Sequence, residues 1–94
     1  EYAENKGSGA KIIFKYRAKS VFLVASAEQK IFAIVKRDGK KLDKEAGKDV
    51  VDSIIEVKEA RLYRLIEDPD GYGEHMMEII VEKPGLRAFA FTFG

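Results

Sequence analysis

Apolar and polar residues alternate with a period of two through most of the chain, the pattern of half-buried β-strands. Ile12, Phe14 and Tyr16 alternate with Lys11, Lys15 and Arg17. Val21-Phe22-Leu23-Val24-Ala25 is a continuous apolar run too short for a helix, and it predicts a central strand. Residues 31–35 predict a third strand, and the chain then reaches Asp38-Gly39. Set before Lys40-Lys41-Leu42, this pair predicts a tight hairpin, because both turn residues must accept positive φ. Residues 43–48 form a charged loop; it is the best helix candidate, and Gly47 keeps any helix short. Val51, Ser53, Ile55 and Val57 share one face of the next predicted strand, after which Lys58-Glu59 turns the chain. Residues 60–66 predict a strand with Tyr63 and Leu65 on one face and Leu62, Arg64 and Ile66 on the other. Residues 67–74 are a turn-rich loop with Pro69, Gly71 and Gly73. Met77, Ile79 and Val81 then alternate, with Met76 and Ile80 opposite. Pro84-Gly85 turns into a terminal strand that puts Phe89, Phe91 and Phe93 on one face and Leu86, Ala88 and Ala90 on the other.

These segments amount to about eight short strands at the regular spacing of a sandwich or barrel. No segment keeps a 3.6-residue period, and no internal repeat is present. The fold class predicted is all-β, a single antiparallel, jelly-roll-like β-sandwich spanning residues 10–94, with residues 1–9 as a linker or disordered arm. The expected core is Ile12, Phe14, Val21, Leu23, Ile34, Val51, Ile55, Leu65, Ile79, Val81, Phe89, Phe91 and Phe93.

Composition narrows the function more than the fold. At 94 residues the chain is one domain, able to fold without disulfides or metals. The 17 basic and 16 acidic residues nearly cancel, which argues against nucleic acid as a partner, since phosphate neutralisation needs a basic excess. The absence of cysteine removes thiolate metal sites, Cys nucleophiles and thiol–disulfide chemistry from this segment. There is no signal-like apolar run and no stretch long enough to span a bilayer. The chain begins at Glu1 rather than Met and reads as a piece of a longer protein.

The richest chemistry lies in Glu67-Asp68-Pro69-Asp70-Gly71-Tyr72-Gly73-Glu74-His75. Asp68, Asp70 and Glu74 are the candidate ligands of a metal, calcium being the hard cation such a loop suits; no other cofactor is expected. The full calcium-loop spacing is absent, and Asp and Gly also serve ordinary turns. Tyr72, His75 and Asp70 are the candidate ligand-binding residues. A sugar stacks its C–H face on an exposed ring while nearby carboxylates bind its hydroxyls. His75 has no Cys or motif-paired Ser beside it, so no catalytic residue is assigned. Lys36, Arg37, Lys40, Lys41, Lys44 and Lys48 cluster at a hairpin tip, but interspersed acids make this a solvated mixed-charge face.

The terminal run Pro84-Gly85-Leu86-Arg87-Ala88-Phe89-Ala90-Phe91-Thr92-Phe93-Gly94, with Ala60-Arg61-Leu62-Tyr63-Arg64-Leu65, resembles the C-terminal module of DipZ-type proteins. These are thioredoxin-like bacterial proteins related to cytochrome c biogenesis. Phe14 to Val24, Val35 to Lys40 and Met77 to Val81 fit the same pattern, so the resemblance runs from about Ala10 onward. It implies a jelly-roll-like sandwich similar in shape to carbohydrate-binding modules. It also implies a thioredoxin-like domain in the same chain, which carries the redox cysteines, and a location outside the cytoplasmic membrane, in the periplasm or on the membrane's outer face. The function expected is a non-catalytic accessory domain of a thioredoxin-like redox protein. The alternative is a glycan-binding module that tethers the redox domain to cell-envelope sugars.

Overall fold

The computed structural model describes Ala3–Glu4 and residues 10–94. Its strands are β1 (Ala3–Glu4), β2 (Ala10–Ala18), β3 (Ser20–Ser26), β4 (Ile31–Arg37), β5 (Lys40–Lys41), β6 (Val50–Val51), β7 (Ile54–Val57), β8 (Arg61–Glu67), β9 (Gly73–Val81) and β10 (Arg87–Phe93). There is no helix among the described residues, and every pairing is antiparallel. One sheet has the order β1-β10-β3-β8; the other has β2-β9-β4-β7-β6, with β5 on β4. The chain passes from one sheet to the other between β1 and β2, β2 and β3, β3 and β4, β7 and β8, β8 and β9, and β9 and β10. This traffic makes a jelly-roll-like sandwich.

Alternation decides which residues fill it. Tyr16 and Ala18 of β2, Val21, Leu23 and Ala25 of β3, Ile31, Ala33 and Val35 of β4, and Met77, Ile79 and Val81 of β9 are all buried. They meet Tyr63, Leu65 and Ile66 of β8 and Ile55 and Val57 of β7 in one core cluster. The expected core members Val21, Leu23, Ile55, Leu65, Ile79 and Val81 belong to it, and Ile12 and Phe14 pack against it partly buried. The predicted central strand is β3, flanked by β10 and β8.

Three sequence expectations fail, each for a backbone reason. The strand expected through Val51, Ser53, Ile55 and Val57 is in fact a hairpin. Asp52 and Ser53 have φ of 52° and 63°, so both central residues are left-handed and the chain folds back between β6 and β7. Val51 consequently points out, 72% exposed, instead of joining the core. Ser53 holds this turn inside the protein. Its hydroxyl donates to the Val35 carbonyl (2.7 Å) and accepts from the Leu42 amide (2.6 Å). The Val35 amide bonds back to the Ser53 carbonyl at 2.7 Å.

The second failure is the terminal strand. Pairing with β3 shifts between Ala88, opposite Ala25, and Ala90, opposite Val24. The extra residue is a bulge that reverses the parity of the strand. Leu86 is buried and Ala88 and Phe91 pack against the core, so residues expected on opposite faces share one. Phe93 continues on that face but sits at the open end, 48% exposed. The Phe89 side chain, expected in the core, lies outside the described residues. A second shift, where Val21 pairs Ile66 and Phe22 pairs Arg64, leaves Leu65 as the extra residue. Both Leu65 and Ile66 are then buried, where strict alternation put Ile66 on the far side from Leu65.

The third is Ile34, expected in the core but half-buried on the outer face of β4, because its neighbours Ala33 and Val35 take the inner positions. The Asp38-Gly39 hairpin is as predicted: φ values of 53° and 78° close a two-residue loop between Arg37 and Lys40. Of the arm at residues 1–9, Ala3–Glu4 pair with Ala88 and Arg87 and add a strand to the sheet; the remainder lies outside the described residues.

Candidate functional site

Two regions compete for the role of functional site: the polar loop end around residues 67–75 and the outer face of the larger sheet.

The loop end is organised by Arg37, the last residue of β4. Its guanidinium bonds Asp68 at 2.6 Å and approaches Glu45 at 3.5 Å, and all three side chains are largely buried. Three loops, the β4–β5 hairpin, residues 43–49 and residues 68–72, are thereby tied to one cation. Arg37 draws Asp68 below the ordinary carboxylate range, and the Asp70 amide helps by donating to Asp68 Oδ1 at 2.8 Å. Burial works against the charge of Arg37, but Asp68, Tyr16 and Glu45 together outweigh this and keep its pKa raised. Burial likewise raises Tyr16, with Arg37 opposing. Among the described residues the buried Tyr16 hydroxyl has no hydrogen-bond partner of ordinary geometry.

Beside this cluster His75 Nδ1 meets Asp38 Oδ2 at 2.7 Å, and Asp38 Oδ1 accepts the Met76 amide at 2.9 Å. The amide and then the histidine lower the Asp38 pKa. The His75 ring stands 5.9 Å from the Tyr16 ring. A Cβ on Gly73 would lie 2.7 Å from His75 Nε2, so the glycine makes room for the imidazole.

The residues singled out from the sequence are therefore near one another but differently occupied. Asp68 is buried in its bond to Arg37. Asp70 reaches Lys44 at 3.1 Å in solvent. Glu74 is exposed opposite Arg17 on β9. His75 is held by Asp38, and Tyr72 stands clear, 75% exposed. Among the described residues no three His, Cys, Asp or Glu side chains come together as a metal-holding group. Arg37, counted by sequence with the basic hairpin tip, belongs instead to the interior.

The loop 43–49 finishes the edge of the smaller sheet. The Gly47 amide bonds the Leu65 carbonyl at 2.8 Å, and the Glu67 amide bonds the Glu45 carbonyl at 3.0 Å. Asp49 accepts the Arg64 amide at 2.7 Å and Arg61 at 3.1 Å. Gly47 is required here: a Cβ would collide with the Arg64 carbonyl. The otherwise open strand β8 is thus covered.

Among the described residues the outer face of the β2-β9-β4-β7-β6 sheet has no comparable cover. Cross-strand register aligns Val51 with Ile54, Ile54 with Ile34, and Ile34 with Ile80, an apolar row over four strands. Phe32, Ile13 and Met76 flank it, 55%, 54% and 41% exposed. Of the eight large apolar side chains exposed among the described residues, five (Ile13, Phe32, Val51, Ile54 and Met76) lie on this face, so the exposure is concentrated rather than scattered. Phe32, Val51 and Ile54 line a hollow of about 340 Å³ rimmed by Asp49, Asp52 and Glu56. Sequence reasoning missed this face. Its signal was the doubled apolar positions Ile12-Ile13, Ile54-Ile55 and Ile79-Ile80, where alternation fills both sides of a strand.

The domain is thus an antiparallel all-β sandwich with a largely bonded polar end and an open apolar sheet face. The chain belongs to the thioredoxin-like C-terminal domain family, whose family model matches residues 1–94. A domain of this family accompanies a thioredoxin-like domain in the same chain. No curated protein matches the chain. No helix among the described residues is long and apolar enough to cross a membrane.

Proposed function

We propose that this is a non-catalytic docking domain that packs the outer face of its larger sheet against the thioredoxin-like domain of its own chain, and so helps choose what that domain reduces or oxidises. The observation that carries the reading is the apolar row Val51-Ile54-Ile34-Ile80 with Phe32 beside it. A sheet face of this kind loses free energy to water unless covered, at about 25 cal/mol per Å² of apolar area. Interfaces between domains of one chain are of modest size and mixed polarity, as this face is. The test is the full-length protein carrying Phe32→Ser and Ile54→Ser. Both side chains are substantially exposed, so the domain should stay folded while docking is lost. Interdomain fluorescence transfer should fall and reduction of a protein substrate should change. Unaltered transfer and unaltered turnover would overturn the reading.

The exposure of Tyr72 favours a second reading, in which the loop end holds a glycan and tethers the redox domain to envelope sugars outside the cytoplasmic membrane. Saturable binding on a glycan array, abolished by Tyr72→Ala, would support it; no binding with or without calcium would remove it.

A further inference from the structure

We infer that the free edge of β2 is a binding site for an extended peptide strand, apolar at alternate positions and acidic where it passes Lys15. The site is the edge of the larger sheet rather than its outer face, and so goes beyond the docking role proposed above. β2 runs in unbroken register with β9 over all nine residues, from Ala10 opposite Val81 to Ala18 opposite Gly73. It stands at the end of its sheet, and among the described residues no strand pairs with its other side. In an antiparallel edge strand every second residue turns its N–H and C=O away from the sheet. Such groups specify the geometry of what can satisfy them, which is another extended backbone. The other edges are short, covered or irregular. β1 and β6 have two residues each, and residues 43–49 bond along β8. β10 runs on past β1, but the bulge after Ala88 breaks its register.

The side chains along this edge define the partner. Ile12 and Phe14 pack against the core yet stay only half-buried, since none of the described strands lies beyond β2. Phe14 stands 4.7 Å from Phe91 and 6.1 Å from Phe93, and Tyr16 stacks on Phe93 at 6.1 Å. An aromatic seam therefore joins the two sheets on this side, and Phe93 is about half exposed in it. An added strand would lay apolar side chains over that seam. Its other face would pass Lys11, Ile13, Lys15 and Arg17. Glu78 already holds Lys11 at 2.9 Å, and Glu74 lies opposite Arg17 on β9. Lys15 lies opposite Met76 and has no ion pair among the described residues, so it is the position that selects a carboxylate. Cations on an edge also guard against unwanted pairing. Here they act against a second copy of the strand. Antiparallel pairing of two β2 strands about Ile13, Phe14 or Lys15 sets Lys11 against Lys15, Lys11 against Arg17, or Lys15 against itself. Like charges directly opposite destabilise a pair, whereas an acidic residue there stabilises it.

The test uses the full-length protein and a fluorescent peptide of alternating Val and Glu, matched in length to the nine residues of β2. Its binding should be saturable, and amide hydrogen exchange should slow within β2. A peptide with the same Val and Glu gathered into two blocks should not bind, because it cannot place one kind of side chain on each face. Two further peptides are N-methylated, one at the Val and one at the Glu residues. At least one of them should lose binding, because the bonds run from the peptide's own backbone. Lys15→Glu, on an exposed side chain, should leave the unfolding midpoint in place. It should weaken the Val–Glu peptide about tenfold and favour a Val–Lys peptide instead. No binding, or equal binding of the block peptide or of both methylated peptides, would overturn the strand site. Slowed exchange confined to β10 would overturn it in favour of the other edge. Equal affinity of wild type and Lys15→Glu for the Val–Glu peptide would overturn the acidic partner. Self-association of the wild type in sedimentation, displaced by the peptide, would assign the edge to a second copy and overturn the proposal. None of these outcomes bears on docking, which Phe32→Ser/Ile54→Ser tests separately.

Discussion

The loop end and the outer sheet face are opposites. The loop end concentrates Asp, Glu, Tyr, His and Gly in nine consecutive residues, yet its two least exposed polar groups hold the fold together: Asp68 on Arg37 and His75 on Asp38. The sheet face is chemically plain, assembled from Val, Ile and Phe of separate strands, yet none of the described residues covers it. Chemical richness in a sequence marks where groups have options. Whether any option remains open depends on what the fold has already bonded to them.

Arg37→Ala is the sharpest way to break this contrast. It strands a buried carboxylate at Asp68 and releases three loops at once. It should cost about 3–5 kcal/mol in chemical denaturation, a cost typical of breaking one partner of a buried pair. A loss below about 1 kcal/mol would mean that the loop end is not the internal brace described here.

Ser53→Ala tests the buried hairpin that carries one end of the face. It removes a donor to Val35 and an acceptor for Leu42, and should cost about 1–3 kcal/mol. Because Val51 and Ile54 flank that turn, docking in the full chain should weaken as well.

Acid separates the two regions by charge. Arg37 holds Asp68 below its unfolded value of about 3.9, and the Met76 amide and His75 do the same for Asp38. A lowered folded pKa stabilises the native state fully above the unfolded value, and that contribution is lost as pH falls through the folded value. Stability should therefore decline below about pH 4. Asp68→Asn should be less stable at neutral pH and show a shallower decline in acid, whereas Phe32→Ser/Ile54→Ser should leave the pH profile unchanged.

The smallest effects belong to side chains that touch little. Phe32→Ser/Ile54→Ser and Tyr72→Ala should each change the stability of the domain by less than about 1 kcal/mol. Only the first should alter interdomain transfer. A stability loss of several kcal/mol from Tyr72→Ala would show that this ring packs where it is described as standing in water.

Much of the architecture was legible because a two-residue period leaves few choices. The strands, the central position of β3 and the Asp38-Gly39 hairpin follow from local pattern. The same rule failed wherever the backbone departed from regular alternation. The bulges in β8 and β10 change which residues point inward, and no side-chain pattern in Leu65-Ile66 or in Phe89-Ala90-Phe91 announces the extra residue. Asp52-Ser53 lacks the glycine that usually advertises a left-handed turn, so one strand was read where a hairpin exists.

What the sequence determined by itself is the all-β class, the lack of cysteine in this segment and the collection of polar groups near residue 70. Propensity, alternation and composition act locally, and all of these depend on neighbours along the chain. Only the tertiary structure decided that Arg37 turns inward to bind Asp68 and Glu45, each on a different loop. Only it aligned Val51, Ile54, Ile34 and Ile80 into one row. Pairing between strands is a long-range choice made by burial and hydrogen bonding together. It sets which apolar residues are left facing water.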